Sequence, residues 1–466
     1  MYDWTLKQLI EAVGGKLLET KVVDLETGIT GFSIDSRTIK SGEIFFAIKG
    51  DKFDGHEFVS EVIKKNPTAI VVSQKPDREY EEKVPFILAN DTLEALQNAA
   101  QWHRNRHKAR FIGVTGSNGK TTTKEMLFHL FSSKEKTFST KGNLNNHIGM
   151  PMSILGISLD TKTAIIEMGM NHPGEIRFLA GIAKPNDALI TNIGPAHIGI
   201  LGSLQNIALA KSEILESLDE KGNAFLPGDD PHLPILVSKT RARVFKFGFN
   251  GSNDIFARDL KVLQNGIEMN VCFRGDSFPL KLALLGRHNA LNALAALGCY
   301  ISSGGSMKSA IERLETFKPV SARLEPLECN EMKVVVDCYN ANPSSMREAI
   351  SWLSSCSGRK VAILGDMREL GDFSSEYHTE IGKKTAESNI DILVAVGGEA
   401  QNMAKAALKA GMSDQFVHSC SDVTGAIKIL RTILAPGDTV LVKASRGMHF
   451  EGICREIWPA IRLDLH

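Results

Sequence analysis

Between Phe111 and Thr123 the chain reads Phe-Ile-Gly-Val-Thr-Gly-Ser-Asn-Gly-Lys-Thr-Thr-Thr. An apolar run enters a glycine-rich turn, and Met126, Leu127, Leu130 and Phe131 then recur at helical spacing. Strand, turn and helix start, in that order, can hold phosphate, because the N–H groups of the turn and of the helix N-terminus converge on one place. Gly116, Ser117, Asn118 and Gly119 would form the cradle, with Thr122 in the first helical turn. Lys120 offers a cation to the terminal phosphates, and Thr121 offers a hydroxyl to Mg²⁺. The strict phosphate-loop spacing asks for glycine at position 114, where Val114 stands; Gly113 is one residue early. Gly119-Lys120-Thr121 still falls where the mechanism needs it.

Three further residues sit where metal chemistry could use them. Glu167 ends the run Thr-Ala-Ile-Ile-Glu, the place of an Mg²⁺-binding acid after a buried strand. On its own it is equally a solvated strand-end carboxylate. His197 closes Asn-Ile-Gly-Pro-Ala-His and is either a metal ligand or a loop histidine satisfied by its neighbours. Lys211, in Ala-Leu-Ala-Lys-Ser-Glu-Ile, reads as an ordinary helical lysine. As an ammonium it would repel a metal beside triphosphate, and only as a carbamate formed with CO₂ could it coordinate one. The pattern alone does not choose. Asp35-Ser36-Arg37 and the Gly/Asp stretch 50–56 fit turn chemistry first and ligand contacts second.

The elements that must position these residues alternate along the chain. Leu6, Leu9, Ile10 and Val13 have helical spacing, ended by Gly14-Gly15. Short β-type runs follow at 31–34, 44–48 and 69–72, then a helix at 91–107. Strands are predicted at 163–168 and 188–193, a helix at 204–218, a β-rich piece at 243–284 and a helix at 289–303. Strands at 333–336, 360–364, 392–396 and 439–442 complete the chain. Alternation of this kind predicts an α/β protein with mostly parallel sheets and helices on both faces. Such sheets bind ligands at the carboxyl ends of their strands, where the phosphate loop, Glu167 and His197 all fall. Breaks near 88 and 318 divide the chain into three domains: a small N-terminal α/β domain (1–88), a central phosphate-loop domain (89–318) and a C-terminal Rossmann-like domain (319–466). The last lacks a Gly-x-Gly-x-x-Gly opening and is not read as an NAD site.

Composition narrows the class. Among 466 residues, 54 Lys and Arg balance 54 Asp and Glu, so no global field favours nucleic acid or an anionic membrane. Seven scattered cysteines, with no Cys-x-x-Cys pair, read as reduced thiols in a cytoplasmic protein. No basic segment leads an apolar core at the N-terminus, and no apolar run approaches the roughly 20 residues that span a bilayer.

The loop Gly116–Thr121 resembles that of the Mur ligases, ATP-dependent amide-forming enzymes of peptidoglycan synthesis, whose Gly-x-Thr-Gly start accounts for the mismatch at 114. The resemblance runs through the whole chain: Phe32–Arg37, Asp54-Gly55-His56, Gly142–Asn146, Glu167–Asn171, Asn192–His197, His288–Asn292, Tyr339–Pro343 and Leu364–Met367. In order and spacing these motifs are most similar to the branch that joins D-alanyl-D-alanine to UDP-N-acetylmuramoyl-tripeptide. Cys338 departs from the small residue familiar there.

What the resemblance implies is specific. Ser36 and Arg37 would serve the UDP end of the substrate, with Asn143, Asn145 and Asn146 also on the substrate side. ATP and two Mg²⁺ would bind the central domain. Thr121 and Glu167 would hold one ion, and His197 and a carbamylated Lys211 the other. Asn289 would meet adenine, and Arg323 and Asp337 would reach the nucleotide from the C-terminal domain. Asn340, Asn342, Ser445 and Arg446 are candidates for the dipeptide. A monomer is expected. A sister ligase adding one amino acid and a folylpolyglutamate synthase-like ligase remain alternatives, as do a phosphate-loop kinase and a non-catalytic nucleotide-binding regulator.

Overall fold

The computed structural model describes residues 4–18, 23–50 and 53–463. Asp51 and Lys52, inside the stretch 50–56, lie outside the described residues. Three sheets organise the chain. The first has five strands in the order Lys16–Leu18, Phe86–Leu88, Ala69–Val72, Glu43–Phe46, Gly31–Ser33. All its pairs are parallel except the first. The second has nine strands. Its parallel part runs Arg243–Gly248, Asn223–Pro227, Asp187–Ile190, Arg110–Thr115, Thr163–Glu167, Thr137–Ser139, and a hairpin meander, Ile255–Leu263, Gly266–Phe273 and Asp276–Leu282, extends the other edge. The third has six strands, parallel except for Glu325–Cys329 at one edge.

The alternation in the sequence is therefore the alternation in the fold. The helix Leu6–Val13 buries Leu6, Leu9 and Val13, begins in a capping box on Thr5, and ends at Gly14 with φ 63°. The predicted strand at 188–193 stops at Ile190. Thr191 and Asn192 leave the ladder because their side chains turn to hold the phosphate loop. The helix predicted at 204–218 ends at Ser212. Glu213 breaks away, and its carboxylate takes the N–H groups of Gly174 and Arg177 at 2.8 and 3.0 Å.

The helix Thr92–Arg106 joins the first two sheets. It packs on Leu6–Val13 on one side and on the helices Gly149–Leu155 and Glu175–Ala183 on the other. Buried Trp4 donates its indole N–H to His103 Nδ1 at 3.0 Å, and His103 Nε2 lies 2.8 Å from the Ile157 carbonyl. Because Nδ1 accepts, Nε2 carries the proton. Among the described residues, no helix is long and apolar enough to cross a membrane.

Candidate active site

A cleft of about 490 Å³ opens where strand ends of the second and third sheets face each other. Strand Arg110–Thr115 lies between Asp187–Ile190 and Thr163–Glu167, so the chain's direction of winding reverses there, the place where open α/β sheets leave a crevice. The phosphate loop fills that position. Gly116 has φ 146°, and a Cβ on it would fall 1.9 Å from Thr191 Oγ1. Gly119 has φ 79°, and its Cβ would fall 2.3 Å from Asn292 Oδ1. Both are glycines because nothing larger fits a loop clasped this tightly. Ser117 Oγ donates to the Gly194 carbonyl at 2.8 Å and accepts the Gly194 N–H at 2.9 Å. The helix Lys120–Phe131 then starts at the loop, with the N–H groups of its first turn directed toward the cleft.

Lys120 Nζ donates to the Gly116 carbonyl at 2.8 Å, folded back over the loop. Burial lowers its pKa; the Glu167 carboxylate pulls it up and the Arg323 guanidinium pushes it down. Glu167 is 2 % exposed. Thr121 Oγ1 donates to its Oε2 at 2.9 Å, and Asn145 Nδ2 donates to its Oε1 at 2.8 Å. Asn145 thus buttresses the carboxylate, a contact that reading it as a substrate residue did not foresee. Arg323 Nη2 reaches Thr121 Oγ1 at 2.9 Å from the far side of the cleft and lies 4.2 Å over the Tyr339 ring. Its neighbours Ala322 and Leu324 both have positive φ, 56° and 48°, so the backbone is bent to present it.

His197 lines the cleft with φ 60°. A Glu369 oxygen lies 2.6 Å from its Nδ1, close enough for an ion pair but off the angle a hydrogen bond requires. This contact holds the Glu369 carboxyl below its usual range. Lys211, in the helix Leu204–Ser212, is 2 % exposed, and its side-chain amine has no hydrogen-bond or ion-pair partner among the described residues. Burial first, and then the Lys120 charge, hold its amine well below the ordinary lysine range.

The third sheet brings Asp337 and Lys443 side by side in register at adjacent strand ends. Lys443, buried at 1 % exposure, donates to Asp337 Oδ2 at 2.5 Å and to the Asn340 carbonyl at 3.1 Å. Lys443 was missed in the sequence; its place two residues before Ser445, at the end of a predicted strand, was the available signal. Asn289 lines the cleft, its amide N–H on the Leu285 carbonyl and its oxygen taking Asn292 Nδ2. Thr122, Asn145, Asn146, Asn340 and Asn342 also line it.

Seven of the predicted residues lie elsewhere. Arg37 is paired with Asp35 on an exposed turn, and its guanidinium holds the Asp35 carboxyl down to about 2. Ser36 and Arg37 present their carbonyls to Lys65 there. Asn143 is exposed beside the cleft, and Ser445 is buried behind it, donating to the Ala341 carbonyl. Gly116 and Lys211 sit beneath the lining. Arg446 lies outside, with Nη1 3.6 Å from Glu451 Oε1. His56 is fixed by Asp54 on Nδ1 and by the Ser73 N–H on Nε2, and Cys338 is buried, its thiol pushed up to about 12.

Comparison with known proteins accounts for this arrangement. Residues 28–104 match the profile of the Mur ligase family catalytic domain, 114–300 the Mur ligase middle domain, and 322–446 the Mur ligase glutamate ligase domain. The UDP-N-acetylmuramoyl-tripeptide–D-alanyl-D-alanine ligase of Bacillus subtilis is 34 % identical over 98 % of this chain and 99 % of its own. The chain belongs to the Mur ligase family. The enzyme of the same name from Escherichia coli is 33 % identical, again over 98 % of this chain and 99 % of its own. Among solved Mur ligases, a crystal structure of MurF from Acinetobacter baumannii matches with a TM-score of 0.89 and 32 % identity, covering 97 % of this chain and 98 % of that one. MurF from Thermotoga maritima in complex with ADP matches at 0.81 and 30 %, covering 91 % and 96 %. The cleft of this Mur ligase is thus built by its middle and glutamate ligase domains together.

Proposed function

We propose that the chain joins D-alanyl-D-alanine to UDP-N-acetylmuramoyl-tripeptide at the expense of ATP, in the cytoplasm and as a monomer, with domain boundaries near 88 and 318. The observation that carries this is the two-sided cleft: phosphate loop, Glu167 and His197 on one wall, Arg323 and Asp337 on the other. The full-length similarity to ligases of that name supplies the substrates.

The reaction follows from the charges. A carboxylate oxygen of the tripeptide attacks the γ-phosphorus, the bond to the β-phosphate oxygen breaks, and ADP leaves an acyl phosphate. The dipeptide amine attacks the acyl carbon, loses a proton, and phosphate departs. Two anions must meet in the first step, and Lys120 and Arg323 neutralise the repulsion. Thr121 and Glu167 fit one Mg²⁺: a hydroxyl and a carboxylate, hard oxygen donors 2.9 Å apart. Among the described residues there is no group of three or more His, Cys, Asp or Glu that could hold a metal, which suits an ion completed by phosphate oxygens and water. Mg²⁺, when bound, supplies further charge neutralisation. His197 and a carbamylated Lys211 would hold a second ion. The neutral amine favoured at Lys211 is the form that reacts with CO₂, and the carbamate turns an unpartnered buried group into an oxygen ligand. Asn289 and Asp337 would contact the nucleotide, Ser36, Arg37, Asn143 and Asn146 the UDP-substrate, and Asn340, Ser445 and Arg446 the dipeptide end.

The test is ADP release coupled to mass analysis of the product, across a panel of UDP-muramoyl peptides and amines. The reading requires an amide to the dipeptide. Faster amide formation with lysine, diaminopimelate or glutamate would overturn it, as would a phosphorylated product in place of an amide.

A further inference from the structure

Among the side chains that cross from the glutamate ligase domain to the phosphate loop, Asn342 is held at both ends. Its Oδ1 accepts the Ser345 N–H at 3.0 Å and caps the helix Pro343–Ser354. That cap decides which end of the amide is oxygen. Nδ2 therefore faces the phosphate loop and donates to Asn118 Oδ1 at 2.7 Å, and Asn118 Nδ2 returns a longer bond to Asn342 Oδ1 at 3.4 Å. Asn118 is fixed from behind in its turn. Its N–H donates to Asn192 Oδ1 at 3.0 Å, and its carbonyl takes Asn192 Nδ2 at 3.0 Å and the Thr191 hydroxyl. The next residue, Gly119, opens the phosphate-binding helix. Asn342, 6 % exposed, has its oxygen taken twice and its amide nitrogen turned to the loop.

We infer that Asn118 and Asn342 form a reciprocal amide clasp that registers the C-terminal domain on the phosphate loop, so that Asn342 is a positioning residue for phosphoryl transfer and not a contact for the incoming dipeptide. The inference rests on the ligase reading above for its assay. A clasp here sets the wall carrying Arg323 and Asp337 at a fixed distance from Lys120 and Thr121, which in-line transfer needs.

Serine caps helices about as well as asparagine but is too short to reach Asn118. Asn342→Ser therefore separates the cap from the clasp. The expected result is an unchanged melting temperature, a kcat for ADP release lowered about five- to tenfold, the scale of one lost net hydrogen bond, and an unchanged KM for the dipeptide. Asn118→Ala should lower kcat similarly, and the double variant should be no worse than the weaker single. An unaltered kcat in Asn342→Ser, a raised dipeptide KM with kcat intact, or additive losses in the double variant would each overturn the clasp. A wild-type protein that forms no amide would overturn the ligase reading instead. The clasp is then decided by calorimetric binding of a non-hydrolysable ATP analogue, where it requires non-additive losses in the same three variants and is overturned by additive ones or by none.

Discussion

Glu167→Gln should separate stability from activity. The carboxylate is 2 % exposed and, among the described residues, accepts from two neutral donors, Thr121 Oγ1 at 2.9 Å and Asn145 Nδ2 at 2.8 Å. Glutamine can keep both contacts: its oxygen faces Asn145, and its NH₂ faces a Thr121 hydroxyl that accepts it as well as Arg323. The change from charged to neutral bonds loses about 1–3 kcal/mol in all. Against that, a buried charge is removed, which relieves a desolvation cost of several kcal/mol offset in part by nearby Lys120 and Arg323. The two nearly cancel, so the folded free protein should melt within a few degrees of wild type. Activity should not survive in the same way. At the metal site proposed on Thr121, the ion would lose its carboxylate side-chain ligand, and preorganised charge at a phosphoryl-transfer centre is worth on the order of 10²–10³ in turnover. The assay is ADP release titrated with Mg²⁺: wild type saturates, and the variant needs far more Mg²⁺ and reaches a much lower plateau. A folded Glu167→Gln protein with wild-type Mg²⁺ dependence and near-normal turnover would refute the assignment of Glu167 to metal binding.

In the role proposed for it, Lys120 must be charged to act, so activity should be lost as pH rises through its pKa. Burial sets that pKa below 10.5 in the free protein, whereas bound triphosphate would raise it, so the alkaline limb of kcat/KM for ATP should lie at lower pH than that of kcat; coincident limbs would contradict this. Lys211→Ala should lose on the order of 10²-fold or more in turnover and regain part of it with added short carboxylic acids. In wild type, ¹³CO₂ should give a carbamate carbon signal (amine plus CO₂ giving carbamate plus a proton) that is absent in the variant, and no such signal in active protein would sink the carbamate. Arg446→Ala should raise the KM for the dipeptide about tenfold or more, the scale of a lost bond to a carboxylate, with the KM for ATP little changed. Equal shifts in both would remove Arg446 from the dipeptide end.

The sequence revealed the fold through periodicity, and the chemistry mostly through strand ends. Glu167 and Asp337 are legible because each directly follows a run of apolar residues that reads as a buried strand, and Gly116 and Lys120 because they stand in the glycine-rich turn that follows another. Partnerships were not legible in the same way. Asn145 on Glu167, Glu369 on His197 and Lys443 on Asp337 join residues 22, 172 and 106 positions apart, and no local pattern encodes such pairings. Strand limits slipped where a side chain had tertiary work, as at Thr191. Asn342 shows the remaining difficulty: its type suits a helix cap, a peptide contact and a loop contact alike, and only its neighbours decide.

The bond from Trp4 to His103 spans 99 residues. During synthesis the first sheet is complete once Leu88 has left the ribosome, and Phe32 already stands edge-on to Trp4 with ring centroids 5.3 Å apart, yet the helix that packs on Leu6–Val13 has still to be made. That helix, Thr92–Arg106, comes next, and the helices behind it, Gly149–Leu155 and Glu175–Ala183, come later still. The opening part of the nascent chain must therefore wait, half-wetted, for roughly the length of a small domain before its core closes. A fragment cut at the last strand of the first sheet should keep that face of Leu6–Val13 exposed permanently, and would be prone to clump where the full chain stays dispersed.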